Sequence, residues 1–199
     1  MSQILLLQSS LNGPASRTNQ LMERFLQTRR EQGHQDQVAV YDLTALDLPV
    51  LNSPLFHALR GAEPANEAIR QAVALSDRLI AELKAADLLL IGAPMYNLNV
   101  PTPLNNWFDL VARAGVTFRY TDTYPMGLVE GVNALVFSSR GGVHQGQTTD
   151  AVTPYLKSVL GLMGIAQVEF VYAEGMDLRP HGAEQGMREA HARIAGLGR

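Results

Sequence analysis

Five short apolar runs, separated by segments of helical period, constrain this chain more than any other feature. They are Ile4-Leu5-Leu6-Leu7, Val38-Ala39-Val40-Tyr41, Leu88-Leu89-Leu90-Ile91-Gly92, Ala134-Leu135-Val136-Phe137 and Val168-Glu169-Phe170-Val171-Tyr172. The third is continuously apolar from Leu88 to Ile91 and reads as a strand buried on both faces, since a strand with one wet face alternates apolar and polar residues. The intervening segments read as helices. Ser16 caps one that runs to about Glu31, with Leu21, Phe25 and Leu26 inward and Gly33 as its stop. Asn66 to Ala85 places Ile69, Val73, Ile80 and Leu83 on one face. A third helix starts near Pro101 or Pro103 and carries Leu104, Trp107, Phe108 and Val111; a fourth opens at Pro154 and ends near Gly164. The last aligns Met187, Ala190, Ile194 and Leu197.

Strand and helix in alternation predict an α/β fold with a parallel sheet covered on both faces. Five strands favour a flavodoxin-like three-layer sandwich of strand order 2-1-3-4-5, one domain over residues 1–199. The connection from Asp42 to Asn66 is longer than a compact fold needs, so it is a functional or interface element. In this order the carboxyl ends of the first, third and fourth strands surround the switch point, where open parallel sheets bind ligands.

Each of those three ends leads into a loop with chemistry. The first carries Ser10, Ser16, Arg17 and Thr18 into a helix start, whose free N–H groups and dipole attract an anion. Ser16 serves equally well as a plain cap. The second, after Pro94, offers Met95, Tyr96, Asn97 and Leu98, which suit a flat ring with a polar edge or an ordinary core-and-turn role. The third, Ser139-Arg140-Gly141-Gly142 followed by Val143 and His144, pairs two glycines that allow close backbone approach or an anion-binding nest. There is no Gly-x-Gly-x-x-Gly, no P-loop Lys-Ser/Thr and no Gly-x-Ser-x-Gly elbow.

Composition narrows the classes further. The chain has no cysteine, which excludes disulfides, thiolate metal sites and cysteine nucleophiles, and no His-Glu pair has a metal-ligand spacing. Its net charge is -3 with no basic stripe, so nucleic acid is not an expected partner. No apolar stretch reaches the ~20 residues of a bilayer span, and Met1-Ser2-Gln3 carries no basic leader. A cytoplasmic location is the expectation, with no membrane partner and no metal.

Several segments together resemble the bacterial FMN-dependent NADH azoreductases, also described as NADH:quinone oxidoreductases. They are Leu75-Ser76-Asp77 through Ala85, Ala93-Pro94-Met95-Tyr96-Asn97, the string from Trp107 to Tyr120, Ser139-Arg140-Gly141-Gly142, and Ala173-Glu174-Gly175. The resemblance implies one FMN per subunit, held by Ser10, Ser16 to Thr18, Met95 to Leu98 and Ser139 to Gly142. It also implies NADH as donor, quinones and aromatic azo compounds as acceptors, and a homodimer with active sites at its interface. Leu98 and Leu162 stand where relatives often carry Phe. His144 and Tyr120 are candidates to pass a proton or orient the acceptor, with solvent as the alternative. The competing readings are a flavodoxin-type electron carrier without NADH activity and a phosphorylation-switched signalling domain. The carrier would call for a more strongly charged surface, and the switch for acidic residues where strand one ends in Gln8-Ser9-Ser10.

Overall fold

The computed structural model describes residues 1–197, so the last two residues of the expected domain lie outside it. Five parallel strands form the sheet: β1 (Gln3–Gln8), β2 (Gln37–Asp42), β3 (Leu88–Gly92), β6 (Asn133–Ser139) and β7 (Val168–Ala173). Their order is β2-β1-β3-β6-β7, the expected 2-1-3-4-5 of a flavodoxin-like sandwich. The numbering gap is a two-stranded antiparallel hairpin, β4 (Phe118–Arg119) and β5 (Met126–Gly127), which sequence reading did not anticipate.

Side-chain alternation in β1 explains the layers. Ile4 and Leu6 face one side, against α1 (Arg17–Glu31) and α6 (Gly182–Leu197), in a core with Leu21, Phe25, Phe137 and Ile194. Leu5 and Leu7 face the other, in a core with α3 (Glu67–Ala85), α4 (Thr102–Val111) and α5 (Val152–Met163). That side holds Leu79, Leu83, Trp107, Phe108 and Leu160, all nearly inaccessible. Every central strand is therefore apolar on both faces, which is why its sequence runs rather than alternates.

Helix signals were read well where side chains cap locally. Ser16 Oγ accepts the Asn19 N–H and Asn66 Oδ1 accepts the Ile69 N–H, and Gly33 lies at φ 88 just past α1. The start of α5 corrects the expectation. It begins at Val152 rather than Pro154, because Asp150 Oδ1 accepts the Thr153 N–H and closes the first turn early. Pro154 then occupies a first-turn position that has no intrahelical N–H bond to lose. The long connection after β2 contains a short helix, α2 (Ser53–Ala58), capped by Asn52 and anchored by buried Leu55, Ala58 and Leu59.

The long family-like string turns out to be scaffolding. Arg113 donates to Ser76 Oγ at 3.0 Å and to the Leu59 carbonyl at 3.3 Å, and pairs with Asp77 at 2.5 Å. Ser76 donates in turn to the Leu110 carbonyl at 2.6 Å. Thr117 is buried, and its hydroxyl donates to the Val111 carbonyl at 2.7 Å. These bonds tie α2, α3, α4 and the hairpin together.

Candidate functional site

At the switch point, the paths out of β1 and β3 diverge and the three chemically rich loops converge. Their shared groove has a volume of about 340 Å³ and is lined by Asn12, Ala15 and Arg17, by Pro94, Met95 and Tyr96, and by Ser139, Arg140 and Gly141. A fourth segment, Met176, Asp177 and Ala183, completes it and was not foreseen from sequence.

One end of the groove is the start of α1. Ser16 and Thr18 are both fully buried, and their hydroxyls lie 2.9 Å apart. Among the described residues, the Arg17 and Thr18 N–H groups find no protein acceptor, as expected of a first helical turn. Arg17 itself is exposed and donates to Gln20 Oε1 at 3.3 Å. This end combines unpaired donors, two hydroxyls and a positive dipole end, the donor set an anion such as a phosphate needs.

The middle loop is held to its neighbours by specific bonds. Met95 N–H donates to the Ser139 carbonyl at 2.9 Å. The Tyr96 hydroxyl accepts the Leu11 N–H at 3.1 Å and shares a hydrogen bond with Ser10 Oγ at 3.2 Å. Ser10 Oγ also accepts the Asn12 N–H at 3.3 Å. Tyr96 is thus a latch on the first loop as well as a wall of the groove. Tyr96 and Asn99 exchange two N–H···O bonds of 3.0 Å around a two-residue turn. Asn97 at φ 51 and Leu98 at φ 64 both occupy the left-handed region, the pattern of a type I′ turn. Asn tolerates this conformation; Leu does not, and Leu98 is strained and exposed.

The third loop is built differently from its sequence reading. Neither Gly141 nor Gly142 lies in the left-handed region, so the pair is not an alternating nest. What a side chain here would meet is the far end of a neighbouring side chain. A Cβ on Gly141 would stand 2.4 Å from Asp177 Oδ2, and one on Gly142 would stand 2.8 Å from His144 Nε2. The carbonyls of Arg140, Gly141 and Gly142 accept from Met176, Asp177 and Gly175 respectively. The Gly141 and Gly142 N–H groups have no acceptor among the described residues.

Arg140 enters this loop with its side chain turned away from solvent. Its guanidinium pairs with Asp150 at 3.1 Å and Glu174 at 3.3 Å, and donates to Ser138 Oγ at 3.2 Å and Thr153 Oγ1 at 2.9 Å. It also lies 4.6 Å from the centre of the Tyr172 ring. Arg140 was expected to contact a cofactor. Its guanidinium is committed to protein partners, so what Arg140 can offer the groove is its backbone. His144 is half-buried beside the groove and shares a hydrogen bond with Thr149 Oγ1 at 2.8 Å. Tyr120 is 66% exposed next to the β4–β5 hairpin, edge-on to Phe118, and does not line the groove of its own chain.

Unpaired donors at both ends and the partly buried Met95 and Tyr96 between them fit a flat polar ring carrying a phosphate. No group of three or more His, Cys, Asp or Glu among the described residues is arranged to hold a metal ion.

Known proteins resemble the chain over nearly its whole length. A family model described as the flavodoxin-like fold matches residues 2–197. The chain is 64% identical over 197 residues to the FMN-dependent NADH:quinone oxidoreductase 4 of Burkholderia lata, covering 99% of each protein. It is 50% identical over 195 residues to the FMN-dependent NADH:quinone oxidoreductase of Escherichia coli, covering 98% of this chain and 97% of that one. Among solved structures, an azoreductase from Bacillus anthracis superposes with a TM-score of 0.87 at 28% identity, covering 100% of this chain and 99% of that one.

Proposed function

The chain belongs to the flavodoxin-like fold family, and from that premise we propose that it is an FMN-dependent NADH:quinone oxidoreductase that also cleaves aromatic azo bonds. The observation that carries this reading is the convergence of three loops on one groove with unpaired N–H donors at both ends. The names of the relatives, FMN-dependent NADH:quinone oxidoreductase and azoreductase, support it.

Ser16, Thr18 and the first N–H groups of α1 hold the phosphate, and the buried position of both hydroxyls keeps competing water away. Ser10, already bonded to Tyr96, couples this end to the ring loop. Pro94, Met95 and Tyr96 form the wall against which the ring lies, with Asn97 and Leu98 at its rim. Ser139, Gly141 and Gly142 approach the polar ring edge, where the two glycine N–H groups are oriented donors for developing negative charge. When bound, FMN supplies the hydride exchange that no side chain here can perform.

NADH and the acceptor would use the same site in turn, which gives ping-pong kinetics. A quinone needs one such cycle to become a quinol. An azo bond needs two, since cleavage to two amines consumes twice the electrons. His144, beside the groove, is the candidate to orient an acceptor or pass it a proton, alongside solvent.

The protein acts as a homodimer in the cytoplasm. Support for a second copy comes from the exposed apolar side chains Leu11, Leu98 and Val143, which belong to the groove's own loops. Tyr120, which does not line its own groove, is then available to the partner's.

Purified protein should bind FMN, turn yellow, and oxidise NADH in the presence of a quinone or an azo dye. A protein that binds FMN but cannot be reduced by NADH would be a flavodoxin-type carrier instead. One that gains no flavin absorbance on addition of FMN would refute the assignment.

A further inference from the structure

The Ala173-Glu174-Gly175 segment has no part in the function described so far, yet one of its oxygens organises the third loop. Glu174 Oε1 accepts the His144 N–H at 2.8 Å, the Gln145 N–H at 2.9 Å and Arg140 Nη1 at 3.3 Å. Its side chain is 14% exposed, against 0% for that of Arg140. Three donors converging on one carboxylate oxygen fix both sides of the glycine pair: Arg140 before it, His144 and Gln145 after it. The backbone adds a second register. The N–H groups of Gly175, Met176 and Asp177 donate to the carbonyls of Gly142, Arg140 and Gly141, and the Gly141 and Gly142 N–H groups have no acceptor among the described residues.

We propose that Glu174 is the positioning residue for the ring end of the flavin site: it touches no cofactor itself but sets the orientation of the Gly141 and Gly142 N–H groups through Arg140, His144 and Gln145. The inference rests on the FMN reading above and adds a division of labour to it. The phosphate end is assembled by local helix geometry. The ring end is assembled at a distance, by a carboxylate thirty residues away from His144 in sequence. Charge-assisted bonds are the strong class, and a carboxylate accepting backbone N–H groups holds a loop more firmly than neutral contacts do.

Riboflavin, which has the ring without the phosphate, separates the two ends. Full-length protein stripped of flavin is titrated with FMN and with riboflavin, following flavin fluorescence. Four proteins are compared: wild type, Glu174→Gln, Ser16→Ala and Glu169→Gln. The Gln variant keeps an acceptor oxygen for the two N–H groups but removes the charge that faces Arg140. It should weaken FMN and riboflavin by the same factor, about tenfold for one lost charge-assisted bond, and shift the visible absorption bands of the bound flavin. Ser16→Ala should weaken FMN alone. Glu169→Gln breaks the exposed pair between Glu169 on β7 and Arg193 on α6 and should change neither. Thermal unfolding of the flavin-free proteins reads folding separately, and Glu174→Asp, which keeps the charge, should recover most of the affinity. If Glu174→Gln binds riboflavin as wild type does, with unshifted bands, or weakens FMN alone, the positioning role is overturned and the FMN reading stands. Wild-type protein that binds neither flavin would overturn the functional reading itself.

Discussion

The two ends of the groove reach similar chemistry by different means. The α1 end is local: Ser16, Arg17 and Thr18 are consecutive, and the cap, the free N–H groups and the dipole follow from starting a helix there. The Ser139–Gly142 end is distant: Arg140 is neutralised by Asp150 and Glu174, which lie on opposite sides of α5 in the chain. A locally built site tolerates change elsewhere in the molecule. A site built from a buried charge network stands or falls with every member of it, because removing one leaves the others unpaired in a poorly solvated place.

The largest expected effect breaks the distant end. Arg140→Ala should cost about 3–5 kcal/mol of stability, read by urea unfolding at pH 7. The sign of its pH dependence follows from Asp150. Burial pushes that carboxyl up, but hydrogen bonds from Arg140 and Thr153 outweigh burial and hold it below its ordinary value. A group with a lower pKa folded than unfolded contributes stability above the unfolded value, about 4, and loses it as pH falls through the folded value. The deficit of Arg140→Ala should therefore be full at neutral pH and narrow below about pH 4. A deficit independent of pH would mean that the network acts by packing alone.

A smaller effect is expected at the local end. Ser16→Ala removes the cap on Asn19 and should cost about 1 kcal/mol, with FMN affinity falling more than stability would suggest. Denaturation and flavin titration of the same preparations test this. Equal loss at both ends would erase the contrast.

The smallest effect lies between them. Leu98 holds a left-handed conformation that costs a non-glycine residue about 1–2 kcal/mol, while glycine gives back part of that in chain entropy. Leu98→Gly should stabilise the protein by about 0.5 kcal/mol, visible as a small rise in melting temperature. If it destabilises, Leu98 packs in a way that its exposure conceals.

The same contrast explains what could be read in advance. The five strands, their order and the cap at Ser16 were legible because they depend on residues adjacent in the chain. The α2 helix and the β4–β5 hairpin were missed because short elements carry too few residues to show a period. Arg140 was legible as a member of the site but not in its role, since a charged residue in a glycine loop gives no sign of its direction. Asp177 and Met176 gave no motif at all; they reach the groove because their N–H groups donate to the carbonyls of Gly141 and Arg140.

By itself the sequence determined the sheet, its covering helices, the sheet end at which the three loops meet and the helix start that forms one end of the groove. Each follows from local periodicity, helix-end chemistry or the topology that strand alternation imposes. Only the tertiary structure decided that Arg140 points inward, that the glycine pair stays out of the left-handed region, and that Glu174 accepts the N–H groups that follow it. Those outcomes depend on which buried charges meet across the ends of β6 and β7, and such a meeting is set by packing rather than by any spacing along the chain.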